Sequence, residues 1–155
     1  MSANSVEVRE APSIHGRGRT VIVSGVSSDS HTWNLVFLQL LIEELGFHVV
    51  NLGPCVPDEL AVSECLARSP AMVVFSSVNG HGYQDGLRVI ERLRANAELA
   101  AVPMVIGGKL GISGGESAGH VDDLLAAGFD AVFDDRTDGP SAFLKFVEGV
   151  TRELR

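Results

Sequence analysis

A histidine that follows an aspartate by two residues, in a polar loop after an apolar run, can do metal chemistry. The run is Val21-Ile22-Val23-Ser24-Gly25-Val26 and the loop is Ser27-Ser28-Asp29-Ser30-His31-Thr32. The Asp29 carboxylate is near enough to fix one ring nitrogen of His31, which leaves the other free to coordinate. The run reads as a buried strand, so the loop leaves its carboxyl end, the edge where open parallel α/β sheets take their ligands. Two later loops supply complementary parts. Ser76-Ser77-Val78-Asn79-Gly80 brings hydroxyls, and Gly107-Gly108-Lys109 brings paired glycines that let a flat group approach the backbone. Together they describe a deep, mostly apolar pocket for a large planar heterocycle beside a metal-ligating histidine.

The elements that must position these loops alternate along the chain. Strands are expected over Thr20–Val26, Phe47–Leu52, Ala71–Ser76, Val102–Ile106 and Asp130–Phe133. Helices are expected over Trp33–Leu45, from Pro57-Asp58-Glu59 to Arg68, and over Gln84–Asn96, Val121–Ala127 and Pro140–Arg155. Gly46 and Gly128 are helix-closing residues, and Pro57 with its following acids is a helix opening. The alternation predicts a doubly wound, flavodoxin-like five-stranded parallel sheet in the order 2-1-3-4-5. The first helix is apolar all round, so it is expected to be buried on more than one side. Residues 1–18 are polar and read as a disordered leader, with residues 19–155 forming one domain.

Composition narrows the function. The chain has 155 residues and 45% hydrophobic content, enough for one domain with a real core. Its net charge of -8 disfavours nucleic acid and anionic membrane as partners. No apolar run reaches the ~20 residues that span a bilayer, and the N-terminus lacks a secretory core, so the expected compartment is the cytoplasm. Cys55 and Cys65 are expected to be reduced packing residues. His15 reads as solvated, His48 as strand packing, His81 as a loop residue and His120 as lying near a helix start. Asp134-Asp135 reads as a solvated loop.

The loop residues also carry a resemblance. Asp29-Ser30-His31 resembles the start of the Asp-x-His-x-x-Gly motif of cobalamin-binding domains. Ser76-Ser77-Val78 is similar to their Ser-x-Leu element and Gly107-Gly108 to their Gly-Gly element, in that order, over roughly residues 20 to 150. Gly46-Phe47-His48-Val49-Val50-Asn51-Leu52-Gly53 and Gly128-Phe129-Asp130 resemble the small subunit of glutamate mutase (methylaspartate mutase). Methyltransferase corrinoid proteins usually carry a helical bundle ahead of such a domain, for which no room is expected here.

The resemblance implies adenosylcobalamin bound base-off, with His31 as the lower cobalt ligand and Asp29 on its other nitrogen. It implies a nucleotide tail entering the sheet edge beside Ser76 and Gly107-Gly108. The contacts then expected for the cofactor are Ser28, Asp29, Ser30, His31, Thr32, Asn34, Ser76, Ser77, Val78, Gly80, Gly107, Gly108 and Lys109. A separate large barrel subunit would hold the substrate, L-glutamate to 3-methylaspartate. Asn34 departs from the motif's final glycine; asparagine tolerates the left-handed backbone, but close approach to the corrin is harder.

Other functions fit less well. A non-catalytic corrinoid carrier or cobalamin-responsive module would share the site without a mutase partner. A flavodoxin could cradle phosphate in the hydroxyl-rich loop but would leave Asp29 and His31 unused. A receiver domain needs an aspartate where strand three ends in Ser76-Ser77. A dinucleotide enzyme needs a Gly-x-Gly-x-x-Gly that does not follow strand one.

Overall fold

The computed structural model describes residues 19–111, 117–134 and 140–153. The predicted leader and Asp135 lie outside them. In chain order the elements are β1 (Thr20–Gly25), α1 (Trp33–Glu43), β2 (His48–Gly53), α2 (Asp58–Arg68), β3 (Met72–Ser77), α3 (Gly82–Arg94), a short 3₁₀ turn (Ala97–Leu99), β4 (Met104–Gly108), α4 (Ser117–Ala127), β5 (Ala131–Asp134) and α5 (Pro140–Glu153). All strand pairs are parallel and the sheet order is β2-β1-β3-β4-β5, as the alternation predicts. No helix among the described residues is long and apolar enough to cross a membrane.

Each sheet face has its own core. Val21, Val23, Met72, Val74 and Val105 pack with Leu35 and Ile42 of α1 and Phe143, Val147 and Val150 of α5. Ile22, Val73, Phe75 and Ile106 pack with Ala61 and Cys65 of α2, Val89, Ile90 and Leu93 of α3 and Leu124 of α4. The three central strands are therefore buried on both faces, which explains why they read as continuous apolar runs. Each fully buried Leu, Ile or Phe in these layers stabilises by roughly 1.5–3 kcal/mol.

Several expectations needed correction. β4 begins after Pro103, which has no N–H to offer the ladder, and runs on through Gly107 and Gly108 because both pair with β3. α3 starts at Gly82 and α4 at Ser117, both earlier than their apolar patterns indicate. α1 is not buried on two sides. Leu35 and Ile42 face the sheet, while Trp33 is 82% exposed and Phe37 and Leu40 are 57% exposed. Periodicity marks a helix, but cannot say which apolar face the chain itself covers. His48 is exposed at the start of β2 and does not pack in the strand.

The cysteines also separate. Cys65 is buried and its thiol is pushed up to about 12 by burial, with Glu64 adding to the shift. Cys55 is exposed, on a backbone φ of 52°, and is not a packing residue. Because the thiolate is the reactive form, an aromatic disulfide reagent at pH 8 is expected to label one thiol in the native chain, Cys55. The second should react only after denaturation, and two rapid equivalents under native conditions would contradict the burial of Cys65.

Candidate functional site

Three loops meet at the carboxyl edge of the sheet, and Asp29 is their common point. The β1 exit turns where Asp29 N–H donates to the Val26 carbonyl at 3.0 Å. That turn drives the Asp29 side chain inward, where it is 1% exposed. One carboxylate oxygen accepts from the His31 N–H at 3.0 Å and meets His31 Nδ1 at 2.6 Å. The other accepts from the Val78 N–H at 2.5 Å and the Asn79 N–H at 3.1 Å. Burial pushes this carboxyl up; the amides of Val78, His31 and Asn79 and the His31 side chain outweigh it and hold it below its ordinary range.

An ionised Asp29 fixes His31 with its Nδ1 turned inward. The imidazole is 55% exposed, so Nε2, across the ring, faces outward from the sheet edge. Among the described residues no three His, Cys, Asp or Glu side chains gather into a metal cage. One outward imidazole with a buried carboxylate behind it suits a metal whose remaining positions a macrocycle already fills.

The floor beneath is made of small residues. Ser76 pairs in register with Gly25 on β1 and Gly107 on β4. By strand alternation these three share the face of Val23, Val74 and Val105, which α1 and α5 cover. A Cβ on Gly107 would come within 3.3 Å of Phe133, and one on Gly108 would run into the Ser77 carbonyl. Gly108 has φ 104°, which turns the Lys109 N–H back to the Ser77 carbonyl at 2.7 Å. Asn34 lies over Ser76 and donates Nδ2 to its hydroxyl at 2.6 Å. Asn34 is helical, so the left-handed backbone considered for it is not needed. The residues present fit a corrinoid, and Asn34 stands among them over Ser76.

The other expected contacts divide. Ser30, His31, Thr32, Val78 and Lys109 are exposed at the edge, while Gly80 is buried. Ser77 turns to the opposite face and donates its hydroxyl to the Lys109 carbonyl at 2.8 Å. Ser28 is exposed, but its hydroxyl donates to Asp85 at 2.6 Å and accepts from Asn79 Nδ2 at 3.1 Å.

That last set of bonds exposes residues the sequence did not single out. Asp85 also takes the Ser28 N–H at 3.3 Å. Arg88 bonds Asp58 at 2.6 Å, Ser27 at 2.6 Å and Asp85 at 3.3 Å. Asn79 ties the β3 exit to the Ser28 carbonyl and closes its own turn by accepting from the His81 N–H. The loop bearing His31 is thus held from α2, α3 and the β3 exit together. The only sequence hint was acids and an arginine on helices, which ordinarily read as solvated faces.

A flavodoxin-like α/β domain with a carboxylate-backed imidazole on its ligand edge is the class that fold and geometry define. A family model described as B12 binding domain matches residues 19–139, and the chain belongs to that family. Among curated relatives, glutamate mutase sigma subunit 1 of Haloarcula marismortui is 30% identical, over 80% of this chain and 81% of that one. Among solved structures, a cobalamin-binding protein from Desulfitobacterium hafniense aligns with TM-score 0.64 and 20% identity over 88% of this chain. The methanol:cobalamin methyltransferase complex MtaBC from Methanosarcina barkeri aligns with TM-score 0.63 and 19% identity over 92% of this chain. This chain spans 58% and 50% of those two solved chains. At such identities the likeness shows the fold alone.

Proposed function

We propose that this chain is the cobalamin-carrying small subunit of an adenosylcobalamin-dependent carbon-skeleton mutase of the glutamate mutase type, acting on L-glutamate to give 3-methylaspartate. The observation that carries the reading is the His31 imidazole, held by buried Asp29 with Nε2 facing outward at the ligand edge. Membership of the B12-binding family and relatives named as glutamate mutase sigma subunits support it. In this reading His31, backed by Asp29, would hold the cobalt, and Ser76, Gly107 and Gly108 would hold the detached nucleotide. When bound, adenosylcobalamin supplies a weak cobalt–carbon bond whose homolysis gives a radical. The contribution of this chain is to hold the imidazole in one tautomer and orientation, and to keep Asp29 ionised behind it. Substrate contacts belong to a separate large barrel subunit, and the compartment is cytoplasmic.

The isolated protein mixed with adenosylcobalamin is expected to give a base-off, His-on visible spectrum and to turn nothing over. Adding a glutamate mutase large barrel subunit should give glutamate-to-3-methylaspartate isomerisation. Isomerisation by this chain alone would refute the subunit role. A non-catalytic corrinoid carrier is the second reading. Membership of the B12-binding family is equally compatible with it. Such a carrier would show the same spectrum but no isomerisation with any mutase partner.

A further inference from the structure

Asn34 carries an unfilled hydrogen-bonding position. Its Nδ2 donates to Ser76 Oγ, while its Oδ1 is buried with no hydrogen-bond partner among the described residues. A carboxamide oxygen sealed from water without a donor is costly, and such atoms call for a reason. Among the described residues the surroundings offer none. Asn34 stands over Ser76, and the neighbours of Ser76 in register, Gly25 and Gly107, bring no side chain. The hydroxyl of Ser76 is already engaged with Nδ2. Oδ1 is therefore an acceptor waiting for a donor that enters along the sheet edge.

On the reading that a corrinoid tail enters here, we propose that Asn34 selects the base on that tail, favouring adenine over dimethylbenzimidazole. Detached dimethylbenzimidazole offers a ring-nitrogen acceptor and no N–H. It can use a proton of Nδ2 or of Ser76 Oγ, but it leaves Oδ1 unsatisfied. Adenine presents an exocyclic amine beside a ring nitrogen. That edge matches a carboxamide in two bonds, amine to Oδ1 and Nδ2 to ring nitrogen, the pairing by which asparagine reads adenine. Nδ2 has two protons, so the bond to Ser76 survives the pairing.

The test is an equilibrium titration of the full chain, followed by visible spectra, with cobalamin, the adenine-tailed cobamide and tail-less cobinamide. Wild type is expected to bind the adenine-tailed cobamide about tenfold tighter than cobalamin. Asn34→Gly and Asn34→Ala should each bring that ratio to within about twofold, with cobinamide titrated alongside to read any change in corrin approach common to all three forms. The alanine variant keeps the helix if glycine weakens it, and cobinamide reports folding and His31 coordination with no tail present. Equal affinity of wild type for the two tailed forms, tighter binding of cobalamin, or a preference that survives both substitutions would overturn the proposal. If cobinamide and both tailed forms leave the spectrum unchanged, the corrinoid site at His31 falls, and the base selection with it. That result is distinct from a site that binds all three without discriminating.

Discussion

His31→Ala is expected to abolish the His-on spectrum with cobalamin and weaken binding by about 100-fold or more, while leaving the fold almost as stable as before. The ring is half exposed, and losing it leaves Asp29 with three backbone N–H partners. Stability should fall by only about 1 kcal/mol, the net value of one hydrogen bond. Asp29→Asn should behave the other way. Its carboxamide would set an NH₂ group against the N–H groups of Val78 and Asn79, so stability should drop by roughly 2–3 kcal/mol. Cobalamin would still be bound through the imidazole, less tightly by about tenfold, in the range typical for a lost partner of a metal-bound histidine. Urea denaturation and cobalamin titration of both variants check this crossed pattern; equal, intact binding by both would contradict the ligand assignment.

The same carboxylate sets an acid limit. Its folded pKa lies below the ordinary value of 3.8, so its stabilisation is complete above the unfolded value and is lost as pH falls through the folded one. The stability gap between wild type and Asp29→Asn should accordingly be constant near neutrality and close below about pH 4.

Gly108→Ala is expected to destabilise the chain by about 3 kcal/mol or more. Two costs combine: a positive φ that alanine avoids, and a Cβ driven into the Ser77 carbonyl. Ser77 cannot retreat cheaply. Its carbonyl accepts from Lys109 N–H and its hydroxyl donates to Lys109 O, so both ends of the contact are pinned. Gly119→Ala is the natural comparison, since nothing lies within 4 Å of its Cβ and the residue sits in α4. That change should be neutral or stabilising by up to about 1 kcal/mol. A denaturant midpoint for Gly108→Ala close to that of Gly119→Ala would show that the β4 exit is not pinned.

The strand order was legible because the three central strands are buried on both faces and every crossover is a helix, so apolar runs and amphipathic stretches fall in turn. The Asp29–His31 pair was legible because its partners are two residues apart. What could not be read depends on distant meetings. Asp58, Asp85 and Arg88 look like ordinary helix-surface charges until α2 and α3 bring them under the Ser27-Ser28 loop. Gly107 and Gly108 fell beyond the strand expected to end at Ile106; their pairing comes from β3 alongside. The uncovered stripe of Trp33, Phe37 and Leu40 shows the same limit, since hydropathy reports what a side chain prefers and not what reaches it.

Asp29 draws three of its partners from the main chain, at His31, Val78 and Asn79. Every amino acid but proline brings that N–H group. The side chain at 78 can therefore drift through many generations of mutation without loosening the grip on the imidazole, and that part of the rim can be re-lettered for a new companion while its anchor stays put. Proline is the one letter that this place should refuse.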